Sequence, residues 1–138
     1  MVANLRHVGI VVKNEKIFLN FFTMIGFKLF KTSKEDNDYM HKFHKLKNLN
    51  LTTYKLKNHS GMIELLKFKS KKKINKLKIN STGINHIALT MKNLDKFYLI
   101  YKKKIKFLNE PKINPENTAK VCFGYGPENL LIEFVEEI

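Results

Sequence analysis

This chain contains an internal repeat, which limits the folds that it can adopt. Residues Leu5–Asn14 align with Ile84–Asn93 at a constant offset of 79, with a histidine on a histidine and Lys-Asn on Lys-Asn. Residues Met62–Leu66 align with Leu131–Val135 at an offset of 69, with a glutamate inside each segment. Two aligned pairs in the same order indicate two copies of one small unit, and the fold must be predicted from that unit.

Each copy is predicted to be a βαβββ module. In the first copy, apolar residues recur at helical spacing between Asn14, a suitable N-cap, and Gly26, a suitable stop. In the second copy, Asn93 caps a helix whose apolar face includes Leu94, Phe97, Tyr101 and Ile105. After each helix three strands are predicted, namely Phe27–Thr32, Leu51–Lys57 and Gly61–Phe68, then Lys106–Asn109, Ala119–Gly124 and Asn129–Glu136.

The length of 138 residues suits one domain built from both copies. We expect a single domain over 1–138, with module one at about 1–68 and module two at about 82–138. Between them, about 69–81 is a lysine-rich segment that we interpret as a solvated linker. The polar stretch from Ser33 to Asn50 is expected to be a loop or a short helix.

Charge and composition limit the classes of partner. The net charge is +14, but Arg6 is the only arginine among 26 basic residues, which argues against base-reading nucleic-acid proteins because they rely on arginine. No segment has the length and hydrophobicity of a membrane span. A single cysteine, Cys122, excludes an internal disulfide and favours a reducing, cytoplasmic compartment.

Strand alternation brings four polar side chains to the faces that no helix covers. His7, Glu64, His86 and Glu133 each point away from apolar neighbours that pack under a helix. Imidazoles and carboxylates that converge without partners are costly, and a divalent metal would satisfy all four. The alternative is two hydrogen-bonded His–Glu pairs. The other histidines have no repeated partner and are predicted to lie on the surface, namely His41, His44 and His59.

Four segments carry a resemblance to a known family. Arg6–Val12, Met62–Leu66, Asn85–Ala88 and Asn129–Glu136 resemble the vicinal-oxygen-chelate superfamily, over essentially the whole chain. That superfamily includes glyoxalase I, methylmalonyl-CoA epimerase, extradiol dioxygenases, fosfomycin-resistance enzymes and bleomycin-binding proteins. The resemblance implies an α+β fold in which paired βαβββ modules form a curved mixed sheet. The sheet would be a cup around one metal, with helices on its outer face, and homodimers would share or swap modules.

The resemblance also implies a ligand set and a reaction. By that likeness His7, Glu64, His86 and Glu133 bind one divalent metal, which could be Zn, Ni, Co, Mn or Fe. The ligand order most resembles glyoxalase I, so the implied activity is that of a metal-dependent lyase or isomerase. It would act through a metal-stabilised enediolate or enolate on a small, anionic carbonyl or thioester substrate, with Glu133 as the base and Glu64 as the second candidate.

Several other functions stay open at this point. They are an epimerase that acts on methylmalonyl-CoA-like thioesters, an extradiol-type dioxygenase, and a resistance protein that binds a small molecule without turnover. A polyanion binder would use the lysines of 69–78 and 102–106.

Overall fold

The computed structural model describes residues 1–45, 47, 50–69, 79–80 and 82–138, with the backbone alone at 37 and 39. The chain divides into two units, Met1–Lys73 and Ile74–Ile138. Most of the segment predicted as a lysine-rich linker lies outside the described residues. That the two modules act as one domain stays a prediction.

The described residues of the first unit form one mixed sheet of four strands and two helices. The strand order is β1-β4-β3-β2, with β1 parallel to β4 and the other pairs antiparallel. The elements in chain order are β1 (Val8–Val11), α1 (Glu15–Met24), β2 (Lys28–Glu35), α2 (Asn37–His44), β3 (Leu51–Lys57) and β4 (Met62–Phe68).

The local signals of the first unit work as predicted. The side chain of Asn14 accepts a hydrogen bond from the backbone N–H of Lys16 and so caps α1. After the helix, Gly26 adopts a φ of +102°, which glycine tolerates because it lacks a Cβ. Helix α2 occupies part of the stretch expected to be a loop or a short helix, and β2 continues to Glu35, beyond the predicted end at Thr32.

The second unit repeats this arrangement with a five-stranded sheet. The strand order is β5-β9-β8-β6, and β7 also pairs with β8. The elements are β5 (Ile87–Thr90), α3 (Leu94–Tyr101), β6 (Lys106–Phe107), β7 (Lys112–Ile113), β8 (Ala119–Tyr125), a 3₁₀ turn (Pro127–Asn129) and β9 (Leu131–Glu137). None of the helices in the described part of the chain is long and apolar enough to cross a membrane.

Two predicted boundaries in the second unit are wrong. The strand predicted at Lys106–Asn109 ends at Phe107. At Asn109 the side-chain oxygen, and not a backbone carbonyl, accepts the hydrogen bond from the N–H of Phe123 on β8. The helix predicted to include Ile105 ends at Tyr101. The backbone N–H of Ile105 still reaches the Tyr101 carbonyl, and this turn carries the Ile105 side chain into the core.

The two sheets have the same register. Gly9 pairs with Glu64 in the parallel β1–β4 ladder, and Ala88 pairs with Glu133 in the parallel β5–β9 ladder. Gly9 and Ala88 are 79 residues apart, and Glu64 and Glu133 are 69 residues apart, which are the offsets of the sequence repeat. The paired modules and the α+β class are therefore confirmed, and the aligned residues occupy equivalent structural positions.

Helices α1 and α3 cover the sheet faces opposite the predicted polar residues. In the first unit Lys67, on the same face as buried Ile63 and Leu65, pairs with Glu15 at the start of α1, with 3.4 Å between nitrogen and oxygen. In the second unit the Glu136 carboxylate, on the face of buried Ile132 and Phe134, accepts the N–H of Leu94 at the start of α3. The predicted alternation of faces is thus present in both sheets.

Cys122 lies in this core and is chemically protected. Its side chain on β8 is fully buried, and burial raises the pKa of the thiol to about 11. Since the thiolate is the reactive form, we expect iodoacetamide at pH 8 to alkylate the native protein at least about a hundredfold more slowly than the unfolded protein. Mass spectrometry of timed samples measures both rates. Equal rates would show that this strand opens readily.

Candidate functional site

In the first unit, His7 and Glu64 form a pair that a lysine extends. His7 immediately precedes β1 and Glu64 lies in the middle of β4. The Nε2 atom of His7 is 3.1 Å from Oε2 of Glu64, and Nζ of Lys55 is 3.2 Å from Oε1 of the same carboxylate. Lys55 lies directly opposite Glu64 in the β3–β4 ladder, which explains the contact. Both oxygens of Glu64 are therefore engaged by a nitrogen.

The other ring nitrogen of His7 is an unusual feature of this pair. Nδ1 is buried and has no hydrogen-bond partner among the residues that the structure describes. When Nε2–H donates to Glu64, Nδ1 carries a bare lone pair. A buried polar atom without a partner costs about 1–3 kcal/mol, which is a cost that functional sites commonly carry.

In the second unit, a neighbouring amide orients the equivalent histidine. Nε2 of His86 is 3.4 Å from Oε2 of Glu133, and Nδ1 of His86 is 2.5 Å from Oδ1 of Asn85. The Nδ2 group of Asn85 donates to the Ile79 carbonyl at 2.7 Å, so its oxygen must face the imidazole. Nδ1 of His86 consequently carries a proton, and in the neutral tautomer Nε2 would present its lone pair toward Glu133.

A nitrogen lone pair and a carboxylate repel each other. The contact between His86 and Glu133 is therefore favourable only if a positive charge lies on the imidazole or between the two groups. A second proton on His86 would supply that charge, and so would a metal cation. A histidine that donates its remote N–H to a side-chain oxygen while its other nitrogen faces an acidic group has the arrangement typical of metal ligands. Asn85 therefore acts on His86 as a supporting residue of a metal site would.

The two carboxylates have different neighbours. Lys55 opposes Glu64 on β3, whereas Phe123 occupies the equivalent place opposite Glu133 on β8. The Phe123 ring meets the His86 ring edge-on, with 5.8 Å between centroids. The repeat is therefore symmetric in its His and Glu residues and asymmetric in the residues beside them.

Solved structures resemble this chain over its full length. A crystal structure of a glyoxalase family protein from Bacillus cereus has a TM-score of 0.87 and 21% sequence identity, and the match covers 100% of this chain and 96% of that one. The chain has the vicinal-oxygen-chelate fold. At this level of identity the likeness establishes the fold alone.

Other proteins with the vicinal-oxygen-chelate fold match less closely. The fosfomycin resistance protein FosX from Listeria monocytogenes has a TM-score of 0.71 and 14% identity, over 100% of this chain and 96% of its own. A glyoxalase I mutant from Zea mays has a TM-score of 0.67 and 19% identity, over 94% of this chain and 43% of its own. No family model matches the sequence. No curated protein matches it either.

The two His–Glu pairs of this vicinal-oxygen-chelate fold suit a metal in donor type and spacing. At zinc-ligand distances of about 2.1 Å, neighbouring donors lie about 3.0 Å apart at right angles and about 3.4 Å apart in a tetrahedron. The observed separations of 3.1 and 3.4 Å fall in that range and also suit hydrogen-bonded pairs. Among the described residues, no three or more His, Cys, Asp or Glu side chains form a single cluster, so each pair supplies two potential ligands.

The predicted site residues are thus brought together in pairs. His7 meets Glu64, and His86 meets Glu133, each pair inside one unit. The joining of all four in one metal site stays a prediction. The three other histidines lie at exposed positions, His41 and His44 on α2 and His59 in the β3–β4 turn.

Sequence reasoning missed two residues of the site. Lys55 could have been found only from the β3–β4 register, because 25 lysines leave no single one conspicuous. Asn85 stands beside His86 in the sequence, but its role depends on the Ile79 carbonyl that fixes its amide.

Proposed function

We propose that this chain is a metal-dependent lyase or isomerase of the glyoxalase type, acting on a small carbonyl or thioester substrate through its enolate or enediolate. The observation that carries the proposal is the repetition of one His–Glu pair at the same register in both sheets. The structural neighbours, which include a glyoxalase I and a fosfomycin resistance protein, support the class of chemistry.

We infer that His7, Glu64, His86 and Glu133 hold the metal. Two imidazoles and two carboxylates without a thiolate favour a first-row divalent ion, so Zn, Ni, Co, Mn and Fe are the candidates. When bound, the ion supplies Lewis acidity that stabilises negative charge on a substrate oxygen. The contact between Nε2 of His7 and Glu64 and the orientation of Nε2 of His86 support this assignment.

Glu133 is the proposed base, which removes a proton from the carbon beside the substrate carbonyl and delivers it again. Its side chain is 24% exposed, against 13% for Glu64. No lysine opposes it on the neighbouring strand, whereas Glu64 has both oxygens engaged by His7 and Lys55. Glu133 is therefore the more accessible of the two carboxylates, and Glu64 is the second candidate.

The proposal is tested first by metal content. The full chain, purified without chelators near neutral pH, is expected to retain about one divalent ion per chain, measured by elemental mass spectrometry. We expect His86→Ala to lower metal affinity by at least about tenfold. Even the mutation of a residue that only supports a ligand typically lowers metal affinity by about 10–100-fold. His59→Ala is the matched control because His59 is exposed in a turn. A wild-type protein that binds none of the candidate ions would refute the proposal.

Catalysis is tested by proton exchange. The metal-loaded protein is incubated in heavy water with methylglyoxal plus glutathione, or with a 2-methylacyl-CoA, and deuterium incorporation is followed by mass spectrometry. Exchange that a chelator abolishes is the expected result. Stoichiometric ligand uptake that survives chelation would instead identify a binding protein, and catechol-dependent oxygen consumption would identify a dioxygenase.

A further inference from the structure

Four lysines lie beside Glu64 on its face of the first sheet. Lys28 is directly opposite Lys57, and Lys31 is directly opposite Lys55, in the antiparallel β2–β3 ladder. Lys55 is in turn opposite Glu64. Because directly opposite residues of antiparallel strands share a face, all four lysines share the face of Glu64. We call Lys28, Lys31, Lys55 and Lys57 the lysine quartet.

A bulge in β2 creates this arrangement. Residues three apart in a regular strand point to opposite faces, so Lys28 and Lys31 would be separated. The register of β2 shifts between Leu29 and Lys31, which places one extra residue in the strand and returns Lys31 to the side of Lys28. Bulges that redirect a side chain are common next to functional sites.

The positive charge of the quartet is largely uncompensated by protein groups. Lys55 contacts Glu64, and the Lys57 ammonium lies 4.6 Å from the centre of the Phe30 ring. Within the described residues, no salt bridge is formed by Lys28, Lys31 or Lys57, and all three are exposed. Like charges that face each other across a ladder are destabilising, so this arrangement has a cost in the free protein.

We propose that the lysine quartet binds an oxyanion that carries two negative charges, such as a phosphate ester group of the substrate. The inference rests on the proposed function, since it assigns the substrate class of the site that contains Glu64. Lysine ammonium groups bind phosphate as point charges. A carboxylate with a single charge would leave most of the quartet uncompensated, whereas a dianion matches it better.

In the second unit two lysines share the face of Glu133, Lys106 opposite Tyr125 and Lys112 opposite Val121, but neither lies in the row beside that glutamate. Phe123 stands where Lys55 stands, and the residue whose N–H pairs with the Phe123 carbonyl is Leu108. The row beside Glu133 is therefore apolar, while the row beside Glu64 is cationic. Because lysines stand directly beside the glutamate only in the first unit, the dianion is assigned to the first unit.

The test is a titration of the full chain with inorganic phosphate, with ionic strength held constant by sodium chloride. Backbone amide signals of β2 and β3 are followed by NMR in the wild type, in the double variant Lys31→Gln/Lys57→Gln, and in Lys103→Gln/Lys104→Gln. The first variant preserves the Lys55–Glu64 contact. The control removes the same charge from exposed positions after α3.

We expect the phosphate Kd to rise about tenfold in the first variant and to change less than about twofold in the control.

Thermal unfolding without phosphate shows whether the first variant is folded. Because the variant relieves repulsion between lysines, its Tm is expected to equal or exceed that of the wild type. Unchanged phosphate affinity in the variant would overturn the proposal. The proposal would also be overturned if acetate or chloride bound as tightly as phosphate at equal ionic strength.

Metal retention, measured on the same samples, separates this inference from the proposed function. If the wild type binds phosphate through the quartet but no metal, the proposed function fails while the anion site stands. If metal is retained and the variant binds phosphate as the wild type does, the anion site alone is refuted.

Discussion

Replacing Glu133 by Gln is expected to lower the rate of substrate proton exchange by about a thousandfold, within the range that a general base contributes. The amide keeps the size of the carboxylate but cannot accept the proton. The fold should survive, because Glu133 is partly exposed and its neighbours Ile132 and Phe134 point into the core on the other face. Deuterium incorporation from heavy water, expressed per bound metal ion, measures the effect.

Two further variants make this result interpretable. Glu137→Gln is the matched control, since Glu137 lies on the same strand at an exposed position and should exchange at the wild-type rate. Glu64→Gln also removes a proposed metal ligand, so it should lower metal affinity while losing less of the rate per bound ion. Full activity in Glu133→Gln with a large loss in Glu64→Gln would reverse the assignment of the base.

Replacing Phe134 by Ala is expected to destabilise the protein by about 3–5 kcal/mol, as truncation of a buried aromatic side chain generally does. Its side chain is 0% exposed. The ring centroid lies 5.0 Å from that of Phe97 on α3 and 5.6 Å from that of Phe107 on β6. The alanine would leave a cavity at the place where the helix packs on the sheet. Since domains are stable by only about 5–15 kcal/mol, this loss is a large share of the total.

Guanidinium unfolding followed by circular dichroism measures the loss of stability, which lowers the guanidinium concentration at the unfolding midpoint. Leu99→Ala, on the same helix as Phe97 but 62% exposed, is the control and should change the free energy of unfolding by less than about 0.5 kcal/mol. A Phe134→Ala protein within about 1 kcal/mol of the wild type would mean that the α3–β9 packing contributes little to stability.

The sequence was most informative where one local rule governs each residue. Alternation placed His7 and Glu64 on one face of their sheet and the apolar neighbours on the other, and the structure confirms it. The N-caps at Asn14 and Asn93 were predicted for the same reason, because a cap depends on backbone groups only two or three residues away.

Prediction failed where a distant residue decides the local structure. The strand expected to reach Asn109 is cut short because that side chain bonds to β8, fourteen residues further along the chain. The turn at Ile105 places its side chain in the core, and burial of that side chain stabilises the turn. Neither contact leaves a periodic signal in the sequence.

Spacing and alternation are properties of the chain alone, so they sufficed to predict the repeat, the two βαβββ modules and the four polar positions. The groups that flank each carboxylate could be identified only in the folded protein. The β2 bulge and the β2–β3–β4 register bring the lysine quartet to Glu64, and the β8–β9 register brings Phe123 to Glu133. Cross-strand neighbours depend on register, which is set by the packing of both faces and not by the residues of one strand.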